Sequence, residues 1–192
     1  RIADDSAKFW SIIDERLQAA GVTRQQVQVI WIKQATAGAN KEFPAEVERL
    51  QGHLATIVNL AKQRYPNLRI AYLSSRTYAG YATTGLNPEQ HAYESAFAVR
   101  RLIQQQGRGD AKLNFDPTKG TVTAPLLLWG PYLWGDGAKA RKSDGLAWEL
   151  GDFGPDGTHP SNSGRQKVAE QLLRFFKGDA LTRTWFLKSA KE

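Results

Sequence analysis

Residues 152–177 read DFGPDGTHPSNSGRQKVAEQLLRFFK and carry the most informative motif of the chain. Asp156 precedes His159 by three residues, on a turn bounded by Gly157 and Pro160. A carboxylate at that spacing can fold back onto the imidazole and accept the Nδ1–H, which fixes the tautomer and leaves Nε2 free to take a proton. The stretch therefore predicts a general base and the carboxylate that orients it.

An amphipathic helix follows this turn without a gap. Its apolar residues recur at helical spacing and are expected to face a sheet: Val168, Leu172, Phe175 and Phe176. We expect Ser161 or Ser163 to cap the helix, and Gln166 to complete a capping box from Ser163. The alternative interpretation of His159 is a residue that only caps this helix.

Three further apolar stretches predict buried strands, at residues 27–33, 68–73 and 124–129. Helical periodicity predicts helices at residues 7–20, 44–64 and 90–106. Strands that alternate with helices indicate an α/β three-layer sandwich with a mostly parallel central sheet. The length of 192 residues suits a single domain. The tail around Trp185 is expected to pack apolar side chains on the body.

The turn resembles the last block of the SGNH (GDSL-type) serine hydrolases, whose Asp-x-x-His-Pro element carries the triad Asp and His. Asp156, His159 and Pro160 match that element, and Gly164 and Val168 continue it. The resemblance implies a flavodoxin-like fold and hydrolysis of acyl or acetyl esters, including those of carbohydrates, through Ser-His-Asp chemistry. It implies no cofactor.

The same resemblance implies that the block with the nucleophilic Ser, and the next block, precede Arg1. Ser6 follows two aspartates but has no strand before it, so it is expected near a helix cap rather than on a nucleophile elbow. Ser74 and Ser75 lack the glycines of an elbow. We therefore expect a C-terminal portion that lacks its N-terminal strands, with the N-terminal segment of the same protein as partner at an exposed sheet edge.

The loop at residues 34–40 follows the first strand, where open α/β sheets bind ligands. The family has Gly-x-Asn-Asp here, and its Asn helps to form the oxyanion hole. This chain has Gly-Ala before Asn40, with Lys41 in place of the Asp. Thr36 and Asn40 are therefore the oxyanion candidates and Gln34 is a substrate-binding candidate, with a plain loop as the alternative.

Further substrate-binding candidates follow the second and third strands. Ser75 and Tyr78 come after the second strand, and Trp129, Tyr132 and Trp134 come at the end of the third. Aromatic rings beside an active site can stack on sugars or hold an acyl chain, and Trp148 is considered for the same role. The alternatives are a capped turn and a loop packed down on the domain.

Composition excludes several classes of function. The net charge is +7, but the basic residues are scattered among acidic ones without a nucleic-acid motif, which indicates a solvated basic surface rather than a nucleic-acid partner. No apolar run approaches the roughly 20 residues of a membrane span. The absence of cysteine excludes a thiolate site, and three dispersed histidines indicate no metal centre. His53 and His91 are expected at the surface.

Two other classes of function stay open at this point. One alternative to the hydrolase is a non-catalytic carbohydrate-binding relative that keeps the fold and the aromatic residues. The other is an inactive fragment, one half of a hydrolase whose other half is the N-terminal peptide. An Asp156→Asn change separates the first from an enzyme, because it should reduce turnover through the wrong histidine tautomer and leave sugar binding intact.

Overall fold

The structure, a computed structural model, describes residues 2–6 and 8–188. Its strands and α-helices are β1 Val29–Lys33, β2 Ile70–Ser74, β3 Leu126–Trp129, α1 Lys8–Ala19, α2 Ala45–Arg64, α3 His91–Gly107, α4 Asn162–Gly178 and α5 Arg183–Phe186. The predicted helices and strands are confirmed. Within the described residues, no helix combines the length and apolar character needed to cross a membrane.

The three strands form one parallel sheet in the order β1-β2-β3. Lys33 lies opposite Ser74, and Leu73 lies opposite Trp129. The carboxyl ends of all three strands therefore meet at one edge of the sheet, and the loops that follow them share that edge. This confirms an α/β fold with a parallel sheet flanked by helices.

Strand β2 distributes its side chains between two sets of helices. Ala71 and Leu73 are buried against residues of α2 and α3. Tyr72 points to the opposite face, where its ring contacts Phe175 at 5.4 Å and Trp185 at 6.4 Å between centroids. This alternation follows from the two-residue period of a strand. The expected packing of the tail through Trp185 is confirmed.

The strands begin two residues later than the hydrophobic pattern predicts. The carbonyl of Gln28 accepts hydrogen bonds from Arg69 and Ile70, so residues 27 and 28 lie before the regular ladder of β1. Pro125 has no N–H to donate, and β3 begins at the next residue. Apolar character extends beyond β2 and β3 because Leu68, Ala124 and Pro125, which precede these strands, are also buried.

Helix α4 begins with Ser161 as N-cap, and its hydroxyl accepts a hydrogen bond from the N–H of Gly164. The predicted capping box is wrong. Gln166 donates to Glu170 instead, and the Ser163 hydroxyl turns to the carboxylate of Asp152. Because the N-cap is Ser161, Ser163 lies within the first turn of the helix and cannot form the capping box.

The two edges of the sheet are β1 and β3. All five residues of β1 are half-buried, whereas four of the five residues of β2 are buried. A groove of about 270 Å³ runs beside β1, and we call it the β1 groove. It is lined chiefly by apolar residues of α1, α2 and β1, among them Phe9, Trp10, Ile13, Ile30 and Trp31.

Two helical glycines give opposite predictions for stability. A Cβ at Gly164 would lie 2.0 Å from the carbonyl oxygen of Asp152, where the backbone cannot yield. We expect Gly164→Ala to lower the free energy of unfolding by about 1–3 kcal/mol. Gly52 lies exposed within α2 with open space around it. Gly52→Ala should raise the free energy of unfolding by about 0.5–1 kcal/mol, because glycine weakens a helix.

Urea denaturation of both variants measures these changes. A Gly164→Ala protein as stable as the parent would show that α4 does not pack closely on Asp152.

Candidate active site

The candidate site lies on a segment that closes on itself between Asp152 and Ser161. The N–H of Ser161 donates to the carbonyl of Asp152 at 2.9 Å, and the N–H of Gly154 donates to the carbonyl of His159 at 2.8 Å. Gly157 has φ +62°, and a Cβ there would lie 1.8 Å from the carbonyl oxygen of Tyr81. Only glycine fits this approach, so the turn rests directly on the segment that follows β2.

Within this turn, the imidazole of His159 meets the carboxylate of Asp156. Nδ1 of His159 lies 2.5 Å from Oδ2 of Asp156. Oδ1 of the same carboxylate accepts hydrogen bonds from the N–H groups of Thr158 and His159 at 3.0 and 2.9 Å. An ionised carboxylate only accepts, so Nδ1 carries the proton and Nε2 presents a lone pair. The contact expected from the three-residue spacing is therefore formed.

The carboxylate of Asp156 stays ionised because three donors face it. The hydrogen bond from His159 holds the pKa of Asp156 well below its usual range, and the two backbone N–H groups act in the same direction. The Asp156 side chain is 30% exposed and that of His159 is 68% exposed. The pair is therefore open to a ligand, and its orientation comes from hydrogen bonds rather than from burial.

No hydroxyl within the described residues hydrogen-bonds Nε2 of His159. Ser6 binds Asp4 on the exposed N-terminal segment. The hydroxyl of Ser74 accepts the indole N–H of Trp31 at 2.9 Å. The chain thus presents a histidine with a free Nε2 and no serine beside it.

A second aspartate fixes the start of α4 behind the turn. Asp152 is almost fully buried, with Nζ of Lys167 2.5 Å from Oδ2 and the hydroxyl of Ser163 2.9 Å from Oδ1. Burial opposes ionisation of Asp152, but its hydrogen bonds to Lys167, the N–H of Glu149 and Ser163 lower its pKa. The charged pair holds α4 against the turn that carries His159.

Two of the residues considered for substrate binding are buried. Ser75 is fully buried, and its hydroxyl oxygen accepts hydrogen bonds from the N–H groups of Leu133 and Trp134 at 3.0 and 3.2 Å. It joins the loop after β3 to the end of β2. Trp148 is also fully buried and donates to the carbonyl of Leu133. Trp148 is a core residue, and its expected role as a substrate contact is wrong.

The aromatic candidates after β3 border a groove of about 380 Å³, which we call the aromatic groove. Trp129 and Tyr132, each 37% exposed, line it together with Tyr93 and Phe97 of α3. Trp134 packs edge-on against Tyr93 with ring centroids 4.8 Å apart. Exposed rings grouped in this way form a surface on which an apolar or sugar face can stack.

The remaining candidates lie in loops around the sheet edge. The hydroxyl of Thr36 is buried and makes no hydrogen bond to the described residues, and Asn40 is exposed. Gln34 lines the β1 groove. The ring of Tyr78 packs against Tyr81 at 5.1 Å, and burial raises the pKa of its hydroxyl. None of the hydrogen bonds described joins Thr36 or Asn40 to His159.

Three charged residues near the site are not among the predicted site residues. Arg76 follows β2 and is attracted by the charges of Glu89 and Asp156. Lys33 ends β1, and burial together with the charge of Arg76 lowers its pKa to about 7. Glu89 accepts hydrogen bonds from the indole of Trp134 and the N–H of Ala79. The only signal for them in the sequence is their position at, or in the loop after, the carboxyl end of a strand.

The other two histidines lie away from the turn. His53 is exposed on α2. The expectation of an exposed His91 is wrong, because its side chain is only 13% exposed and lies 3.4 Å from Glu94. The residues that the structure describes contain no group of three or more histidine or acidic side chains arranged to hold a metal ion.

Comparison of the chain with protein-family models, with curated proteins and with solved structures gave no match. Function is therefore inferred from the geometry of the site.

The ionised state of Asp156 predicts a pH dependence of stability. Its pKa is lowered in the folded protein, so its hydrogen bonds stabilise the fold fully above the unfolded-state pKa of about 4, and this stabilisation is lost progressively as pH falls from that value toward the lower folded-state pKa. We expect the difference in free energy of unfolding between the parent and Asp156→Asn to be constant near neutral pH and to shrink below about pH 4.

Denaturation at a series of pH values measures this difference. Asp136→Asn is the control, since that exposed carboxylate lies 3.7 Å from Lys139 and accepts no backbone hydrogen bond within the described residues. A difference that does not change between pH 3 and pH 7 would contradict the ionised, hydrogen-bonded state of Asp156.

Proposed function

We propose that the chain carries the histidine and aspartate of a serine ester hydrolase of the SGNH type, acting on acyl or acetyl esters. The observation that supports this most directly is the 2.5 Å contact between Nδ1 of His159 and Oδ2 of Asp156. It engages one ring nitrogen and leaves the other open on a side chain that is 68% exposed. A carboxylate on one ring nitrogen and an open second nitrogen are the arrangement that a general base requires.

In the proposed reaction, Nε2 of His159 takes the proton of a serine hydroxyl as its oxygen attacks the ester carbonyl carbon. The carbon–oxygen bond to the leaving alcohol then breaks, and the imidazolium returns its proton to that alcohol. Water repeats the two steps on the acyl-enzyme and releases the acid. Asp156 holds the imidazole in the productive tautomer and stabilises its charged form.

In this proposal the nucleophilic serine belongs to a polypeptide segment outside residues 1–192, an N-terminal segment of the same protein. Such a segment would pair with the free side of β1 and fill the β1 groove, which gives the complete protein a three-layer, flavodoxin-like sandwich with additional N-terminal strands. Two observations support this: the half-buried, apolar edge of β1, and the free Nε2 of His159.

The substrate is proposed to be an ester of a carbohydrate. Trp129 and Tyr132 offer exposed ring faces after β3, and Trp134 connects them to the site through its 3.0 Å hydrogen bond to Glu89. Thr36 and Asn40 remain the proposed side-chain donors to the oxyanion, because both follow β1 at the same edge of the sheet.

A second candidate function is carbohydrate binding without catalysis. It is favoured by the aromatic groove, which residues of this chain form by themselves, whereas a hydroxyl beside His159 is absent from the described residues. Sugar binding in this case depends on Trp129 and Tyr132 and not on Asp156.

Hydrolysis of 4-nitrophenyl acetate by the natural full-length protein tests the catalytic proposal. We expect His159→Ala to lower kcat/KM by at least about 10³-fold, and Asp156→Asn to lower it by up to about 10⁴-fold through the wrong tautomer. Asp136→Asn should have no effect. An equal rate in the parent and in His159→Ala would overturn the proposal.

Calorimetric titration of the same proteins with an acetylated oligosaccharide separates the two functions. In an enzyme, Asp156→Asn binds the sugar but does not turn it over. In a binding module, no variant shows turnover, and Trp129→Ala weakens binding by about tenfold while Phe115→Ala, an exposed ring between α3 and β3, does not.

A further inference from the structure

Two basic residues lie at the carboxyl edge of the sheet, one at the end of β1 and one just beyond the end of β2. Lys33 is the last residue of β1 and lies opposite Ser74 in the register, and Arg76 comes two residues after Ser74. Burial, together with the charge of Arg76, lowers the pKa of Lys33. Neither side chain forms a salt bridge with any described residue.

The surroundings hold the backbone of Arg76 in place but leave part of its guanidinium without a hydrogen-bond acceptor. Its N–H donates to the hydroxyl of Ser95 at 2.9 Å, and its neighbours Ser75 and Thr77 are buried. Its guanidinium Nε is buried and has no hydrogen-bond partner among the described residues. A buried charged donor without an acceptor is unfavourable, and in native proteins such a group usually meets a ligand or another partner.

The acidic residues nearest to Arg76 are engaged elsewhere. Glu89 accepts hydrogen bonds from Ala79, Tyr93 and the indole of Trp134. Asp156 accepts from Thr158 and from both the backbone and the ring of His159. Glu89 lies in the segment before α3 and Asp156 in the turn before α4, and both attract Arg76. Neither acid is within ion-pair distance of Arg76, so the Nε of its guanidinium remains without an acceptor among the described residues.

We propose that Lys33 and Arg76 form a binding site for a carboxylate group of the substrate. A guanidinium binds a carboxylate through parallel N–H donors, and an ammonium beside it supplies a further donor. Glu89 and Asp156 contribute negative potential, which favours a singly charged carboxylate over a doubly charged phosphate. The identification of the ligand as substrate rests on the proposed function, and carboxylate binding itself does not.

The position of the pair specifies the class of substrate. Arg76 is attracted by the charge of Asp156, which orients His159, and by that of Glu89, which accepts a hydrogen bond from Trp134 beside the aromatic groove. A sugar that carries a carboxylate can place its ring toward the aromatic residues and its charge toward Arg76. The substrate is therefore an ester of an acidic carbohydrate that contains uronate residues.

Titration of Lys33 by NMR in protein labelled with [ε-¹³C]lysine tests the site without requiring turnover. The Lys33 signal is assigned by its loss in Lys33→Gln. In the free protein it should titrate near pH 7. Saturating glucuronate should move this midpoint upward by about 1 pH unit or more, because a bound anion favours the ammonium form. Glucose should leave it unchanged.

The affinity for glucuronate should correspondingly fall as pH rises through the Lys33 midpoint, because deprotonation removes one of the two charges that bind the carboxylate.

Two arginine variants provide matched controls. Arg76→Gln should raise the Lys33 midpoint in the free protein, because a like charge is removed, and should abolish the response to glucuronate. Arg69→Gln removes an exposed arginine next to the amino end of β2 and should leave the response intact. A wild-type midpoint that does not respond to glucuronate would overturn the proposal, as would a response to phosphate alone. Acetate with the same effect as glucuronate would support it.

This result is independent of the hydrolase proposal. A protein without esterase activity still reports carboxylate binding through Lys33, whereas an active esterase whose Lys33 ignores glucuronate would contradict only the carboxylate site.

Discussion

The closure of residues 152–161 into a hydrogen-bonded turn is the constraint on which the candidate site depends. The carbonyl of Asp152 accepts the N–H of Ser161, while the buried carboxylate of Asp152 binds Lys167 and Ser163 of α4. One residue therefore fixes both ends of the turn and the helix behind it. Because the backbone is held in this way, Asp156 and His159 can meet at 2.5 Å although their side chains remain open to solvent.

The parallel sheet brings the other charged groups to the same place. Lys33 is the last residue of β1, and Arg76 follows the end of the adjacent strand β2. Glu89 attracts Arg76 and accepts a hydrogen bond from Trp134, beyond β3. Parallel pairing is the reason that residues far apart in the chain share one edge. The proposed catalytic pair, the proposed carboxylate site and the aromatic groove are thus consequences of one topology.

The sequence predicts those features that depend on local pattern. The helices, the strands and the Asp156–His159 pair all follow from spacing within a few residues. Features that depend on packing across the sheet could not be predicted in this way. Ser75 and Trp148 look like polar and aromatic surface residues in the sequence, but both are buried, because the loop after β3 folds over the end of β2.

The same limit applies to the charged residues of the site. Lys33 at the end of an apolar strand is indistinguishable in sequence from a solvated lysine, and its lowered pKa depends on its burial and on the charge of Arg76, which follows the next strand. Tyr93 has the spacing of a core residue in α3, yet it is 41% exposed because β3 ends beside it. Tertiary contacts, not local pattern, determine both the pKa of Lys33 and the exposure of Tyr93.

Locating the reactive serine tests the central proposal, that His159 serves a nucleophile supplied from outside these 192 residues. The natural full-length protein is treated with a fluorophosphonate and digested, and the modified peptide is identified by mass spectrometry. We predict one adduct, on a serine outside residues 1–192, and its loss in His159→Ala. An adduct on Ser6, Ser74, Ser75 or another serine of this chain, or no adduct at all, would contradict the account.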